Sequence, residues 1–116
     1  MGAIGVFGLG KLTVPVDTAT AAAASLVAAA GAGRIIHLVA FYLTINDVNR
    51  IALRDGSTEY IVIDAPAAGV WQNRAPEGHS LMRTSANAAL QLVLGSAVRV
   101  SGSIEYFVTD AAGNYV

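Results

Sequence analysis

The stretch AALQLVLGSAVRVSGSIEYFV, Ala88–Val108, decides the fold. Leu90, Leu92 and Leu94 alternate with Ala89, Gln91 and Val93. After Gly95-Ser96-Ala97 the apolar set returns as Val98, Val100, Ile104, Tyr106 and Val108. A period of two is the signature of a strand with one buried face. Paired residues share a face, so the phase of the two runs suggests a hairpin closed by Gly95–Ala97, with Leu94 against Val98 and Leu92 against Val100. That register sets Leu90 opposite Gly102, where a leucine would fill the space of a missing side chain. Alternation continues through Ser101-Gly102-Ser103, which predicts one strand from Val98 to Val108.

Working outward, Ile35–Ile45 is the most apolar run, opened by Arg34 after a Gly31-Ala32-Gly33 turn. One face would carry Ile35, His37, Val39, Phe41, Leu43 and Ile45, the other Ile36, Leu38, Ala40 and Tyr42. Both faces read as buried, as in a central strand of a sandwich. Asn46-Asp47 marks a turn, Asn49–Arg54 a returning strand, and Asp55-Gly56 a two-residue hairpin turn. That turn would pair Ile51 with Tyr60 and Leu53 with Thr58. Leu12–Val16, holding Pro15, reads as an edge or lead-in strand.

Thr18–Ala30 pulls two ways. Alanine favours helix, and Asp17 or Thr18 could cap its start, but no amphipathic stripe is present, and the segment is read as extended strand. From Ala65 to Ser85 the alternation breaks around Pro66, Gly69, Pro76 and Gly78, predicting a long irregular region. Trp71, the only tryptophan, and Arg74 suit a contact surface there. Trp71 could equally fold back and close one end of the sandwich.

At 116 residues the chain is one domain, with 54% hydrophobic and only 13% charged residues, against about 25% charged in an ordinary soluble domain. So few charges predict strand faces covered by other copies or a partner. A formal net charge of −1 leaves no basic surplus for nucleic acid. There is no cysteine for a disulfide or thiolate metal site. No membrane partner is expected, because Thr18–Gly33 is too short and too rich in alanine to span a bilayer. Gly2, Gly5, Gly8 and Gly10 do not make a phosphate loop, since Gly10-Lys11 is followed by Leu12. They read instead as an extended apolar arm.

Catalytic chemistry is not indicated. His37 and His79 lie in no metal-ligand spacing, and His37 reads as a core histidine with a satisfied hydrogen bond. Ser80 lacks a nucleophile-elbow context, and the carboxylates fall mostly at turns. The expectation is a protein that is not an enzyme, with no cofactor and no metal. Three parts are expected: an N-terminal arm over 1–16, a β-sandwich over 17–110 and a tail over 111–116, frayed or laid on a neighbour.

From Thr18 onward the chain resembles small tailed-bacteriophage virion structural proteins of the head-decoration (cement) and fibre-accessory kind. The resemblance rests on Thr18-Ala19-Thr20-Ala21 leading to Leu26-Val27, on Gly33-Arg34-Ile35-Ile36, on Ala89-Leu90-Gln91-Leu92, and on Val100-Ser101-Gly102-Ser103-Ile104-Glu105-Tyr106. It implies an all-β, jelly-roll sandwich. The protein would be a homotrimer on the outer surface of the phage head, made in the host cytoplasm, with the arm reaching onto the major capsid protein. Contact residues on this reading are Phe7, Leu9 and Lys11 in the arm and Trp71 and Arg74 beyond it. A tail-fibre or receptor-binding module holding host glycan on Trp71, Tyr60 and Arg74 is the alternative.

Overall fold

A computed structural model of the protein describes residues 11–56 and 58–116; the arm residues Phe7 and Leu9 lie outside them. Two antiparallel sheets stack over a shared core. Their strands are β1 (Leu12–Thr18), β2 (Ala24–Val27), β3 (Ile35–Ile45), β4 (Asn49–Asp55), β5 (Thr58–Ala65), β6 (Gly69–Arg74), β7 (Met82–Arg83), β8 (Leu90–Leu94) and β9 (Val100–Thr109). Sheet A runs β1-β9-β3-β6, with β7 also on β3, and sheet B runs β2-β8-β4-β5. The all-β expectation agrees with this architecture, and β3 has the bounds read from its apolar run. β1 is an edge strand holding Pro15, so the arm boundary drawn at residue 16 falls inside sheet A. Of 18–30, Thr18 ends β1 and Ala24–Val27 forms β2, while 19–23 and 28–30 lie outside the strands.

The predicted hairpin between β8 and β9 does not form. β8 pairs with β2 and β4 in sheet B, β9 with β1 and β3 in sheet A. Leu90, Leu92 and Leu94 join Val100 and Ile104 in one core, but from opposite layers. Alternation reports that a strand has a buried face, not which neighbour it pairs with. The crossing segment is held by buried Asn49, whose Oδ1 accepts from Ser96 N (3.0 Å) and Ser96 Oγ (3.1 Å) while its Nδ2 donates to Ser96 O (3.2 Å). Gly95 N donates to Arg50 O at 2.6 Å and Asn46 N to Arg99 O at 3.1 Å. These bonds stand in for ladder pairing at Gly95, Ser96 and Arg99.

Gly102 is opposite Leu43 of β3 and Val16 of β1, not Leu90. Its φ is +138°, and a Cβ there would lie 1.9 Å from Tyr42 O. The missing side chain is filled by the neighbouring backbone.

Two irregularities explain other departures. The β3/β9 register shifts between Leu38 and Ala40. Ile36 and Leu38 therefore face the core on one phase, and Phe41, Leu43 and Ile45 on the other. A bulge moves the strand to the opposite phase, which is why both faces looked apolar. The β4/β5 hairpin forms one residue later than expected, with Asp55 opposite Thr58, Arg54 opposite Glu59, and Leu53 opposite Ile61 after a shift. Asp55 is drawn into the ladder because its Oδ2 accepts from Ser85 N (2.6 Å) and Tyr60 Oη (3.2 Å).

The region 65–85 is less irregular than expected, since β6 and β7 both pair with β3. Pro66, Pro76 and Gly78 bracket these strands instead of replacing them, and Gly69 opens β6. The tail turns back: Thr109 bridges to Tyr115, and Val116 N donates to Val108 O.

Replacing Gly102 by alanine combines a disfavoured φ with a backbone clash, so Gly102→Ala is expected to cost at least about 2 kcal/mol of stability. Urea unfolding checks this, with Gly33→Ala as the comparison, where φ is +73° but the space is open. Equal losses in the two variants would mean that the close approach to Tyr42 is not what Gly102 serves.

Candidate surface for protein contacts

The outer face of sheet A is set by register. One row across its four strands is Thr13, Glu105, Ala40 and Arg74, and the next is Pro15, Ser103, Tyr42 and Gln72. A third is Asp17, Ser101, Thr44 and Val70. Side chains two residues apart on a strand share a face, so these rows form one surface.

Ala40 is the small residue between two long ones. Arg74 reaches across it to Glu105, with both terminal guanidinium nitrogens on the two carboxylate oxygens, Nη1 to Oε1 at 3.1 Å. Such a two-pronged pair is geometrically restrictive. Hydrogen bonding from Arg74 holds the Glu105 carboxyl below the usual range, and Lys11 adds a smaller contribution. Lys11 Nζ also lies 3.8 Å from Glu77 Oε1. Lys11, Arg74, Glu77 and Glu105 thus form a self-neutralising patch beside a hollow of about 260 Å³, lined by Ala40, Tyr42, Gln72, Arg74, Ser103 and Glu105 among others. At its far end Asp17 accepts from Arg99 Nε (2.9 Å) and Nη2 (3.3 Å), and that hydrogen bonding lowers its carboxyl.

The structure therefore brings Lys11 and Arg74 to one patch and leaves Trp71 out of it. Trp71 is opposite Leu43, half-buried against the core, with its ring over Gly69. Tyr60 belongs to sheet B and bonds Asp55. Trp71, Tyr60 and Arg74 do not share a face. Tyr42, Gln72 and Glu105 belong to the patch and were not singled out from sequence. Tyr42 is 48% exposed although its strand reads as apolar on both faces.

The other end of the same face is aromatic. His37 stacks on Phe107 (centroids 4.5 Å apart, planes 8° apart), and Tyr115 tilts against Phe107 at 5.3 Å. His37 Nε2 is 2.7 Å from Thr109 Oγ1. Burial, with a smaller effect from the Arg83 charge, lowers the His37 pKa below 6.5. His79, Ser80 and Arg83 help line a hollow of about 450 Å³ there. Among the described residues no group of three His, Cys, Asp or Glu is placed to hold a metal ion. No helix among them is long and apolar enough to cross a membrane.

No protein-family model matches the sequence, and no curated protein matches it. A solved structure described under the heading that Bacillus endospore appendages form a novel family of disulfide-linked pili is similar over 84% of this chain and 83% of that one. The identity is 20% and the TM-score 0.43, a likeness that carries no argument about function.

His37 supplies a pH test. Its folded pKa lies below the unfolded value, so the unfolded chain binds the proton more readily. The stabilising contribution is complete above about pH 6.5 and is lost as pH falls toward the lowered folded value. Urea midpoints at pH 7.5 and 5.5 are expected to differ more for the native protein than for His37→Gln. The same difference in both would remove His37 as the cause.

Proposed function

We propose that this protein is a non-enzymatic structural protein of a tailed-phage virion, a decoration or cement protein of jelly-roll type. It binds the outside of the head shell as a homotrimer and stabilises it. The jelly-roll reading is supported by the orders β1-β9-β3-β6 and β2-β8-β4-β5. The chain changes sheet at every connection except β4–β5 and β6–β7, as eight strands wound in two Greek keys do, with β7 as an added short strand.

The contact reading is carried by one observation: the patch on sheet A has its charges already paired among themselves. A surface of that kind suits a large, rigid protein partner, because little charge has to be desolvated without compensation. Lys11 sits in it, which is where residues 1–10 join the domain. Trimeric attachment multiplies modest contacts through effective concentration, so a small protein can clamp a shell. The glycan alternative lacks support of the same kind, because its three proposed residues do not converge.

Imaging the virion tests this reading, with density for the protein expected on the outer shell at quasi-threefold positions. Removing residues 2–10, which leaves β1 intact, is expected to abolish attachment while the domain stays folded. A shell without the protein, or attachment unchanged by the deletion, would contradict it.

A further inference from the structure

The four sheet edges are not equally protected. β1 carries Pro15 in its middle, β2 is four residues long with a register shift, and the second half of β6 is Gln72, Asn73 and Arg74. β5 is eight residues, Thr58–Ala65, without proline, glycine or lysine. Natural sheets blunt exposed edges with such residues, because an open row of backbone donors and acceptors pairs with any suitable strand. Among the described residues β5 is paired on one side only. Its charges do not guard the edge either, since Glu59 and Asp64 turn back toward Arg50, at 3.0 and 3.9 Å.

The side chains of β5 are those of an unfinished layer. Ile61 and Ile63 face the core yet are only half-buried, and Val62, on the outer face, is 42% exposed. Past the shift beside Tyr60, residues 61–65 keep a regular ladder with β4.

We infer that β5 pairs antiparallel with β5 of a second copy about a two-fold axis through Val62, joining two B sheets into one of eight strands. The occupant follows from self-complementarity. A register centred on Val62 sets Val62 against Val62 and Ile61 against Ile63 of the second copy, completing the burial of both isoleucines. At the axis only Val62 and the two isoleucines are directly opposed, so no charges meet there. An isologous contact of this kind closes on itself and does not propagate into fibres. It lies on sheet B and leaves the outer face of sheet A free, so it stands whether or not the protein decorates a shell.

The chain has no cysteine, which makes the test clean. Directly opposed residues in an antiparallel pair have Cα atoms about 4.5–5.5 Å apart, within disulfide reach. In the full-length protein Val62→Cys is expected to give a covalent dimer on mild oxidation, read on a non-reducing denaturing gel. Asp64→Cys, four residues out of register with its own copy at about 13 Å, is expected not to. Val62→Lys opposes two ammonium groups and is expected to halve the mass measured by light scattering at fixed concentration, with the circular-dichroism spectrum of the folded domain preserved. A native mass of two chains supports the pairing while contradicting the trimer; a mass of six supports both. Val62→Cys remaining monomeric on the gel, or Val62→Lys keeping the native mass, would overturn the pairing.

Discussion

The structure depends on burying two sets of alternating apolar side chains from opposite layers in one core. Leu90, Leu92 and Leu94 of sheet B and Val100 and Ile104 of sheet A are each at most 2% exposed. Burying a leucine or isoleucine contributes about 1.5–3 kcal/mol, and no other interaction here acts on so many residues at once. That burial requires the chain to leave one sheet at Leu94 and enter the other at Val100. Asn49 makes the crossing possible by giving Ser96 the hydrogen bonds that a ladder would otherwise supply. β9 can then lie close against β3, but only because Gly102 has no side chain to meet Tyr42 O.

The outer faces inherit what the core does not use. On sheet A, pairing β3 with β9 on one side and β6 on the other aligns Glu105, Ala40 and Arg74 in one row. The small central residue lets the outer two meet. The resulting patch is electrostatically closed, its charges paired among themselves. On sheet B the equivalent neutralisation occurs along β4 and β5, through Arg50 with Glu59 and Asp64. It leaves the backbone edge of β5 unguarded. The low charge content of the chain is thus divided between a closed face and an open edge.

Much of the strand content was legible in the sequence, because period-two alternation follows directly from the pleat. Ile35–Ile45 could be bounded by its flanking turn residues, and Pro15 marked β1 as an edge. Partner choice was not legible. Leu92 and Val100 have compatible phase whether they lie side by side or meet across a core, and the five residues between Leu94 and Val100 permit either. The bulge beside Val39 was hidden because every residue around it is apolar. β6 was missed because Gly69 and Pro66 look like loop punctuation, when Gly69 in fact makes room for the Trp71 ring. Of the sheet A patch, Lys11 enters the sequence reading only as an arm residue through the resemblance and Arg74 only as the neighbour of Trp71. Tyr42 and Glu105 do not stand out, because only the register places them beside Arg74.

Strand pairing about Leu92 is the most direct measurement of this account. In an NMR spectrum of the labelled protein, cross-strand contacts between backbone protons are predicted from Leu92 to Ala24 on one side and to Leu53 on the other. Gly102 should show them to Val16 and Leu43. Cross-strand contacts linking Leu92 to Val100, or Leu90 to Gly102, would return β8 and β9 to a single hairpin and contradict the two-layer crossing on which the rest stands.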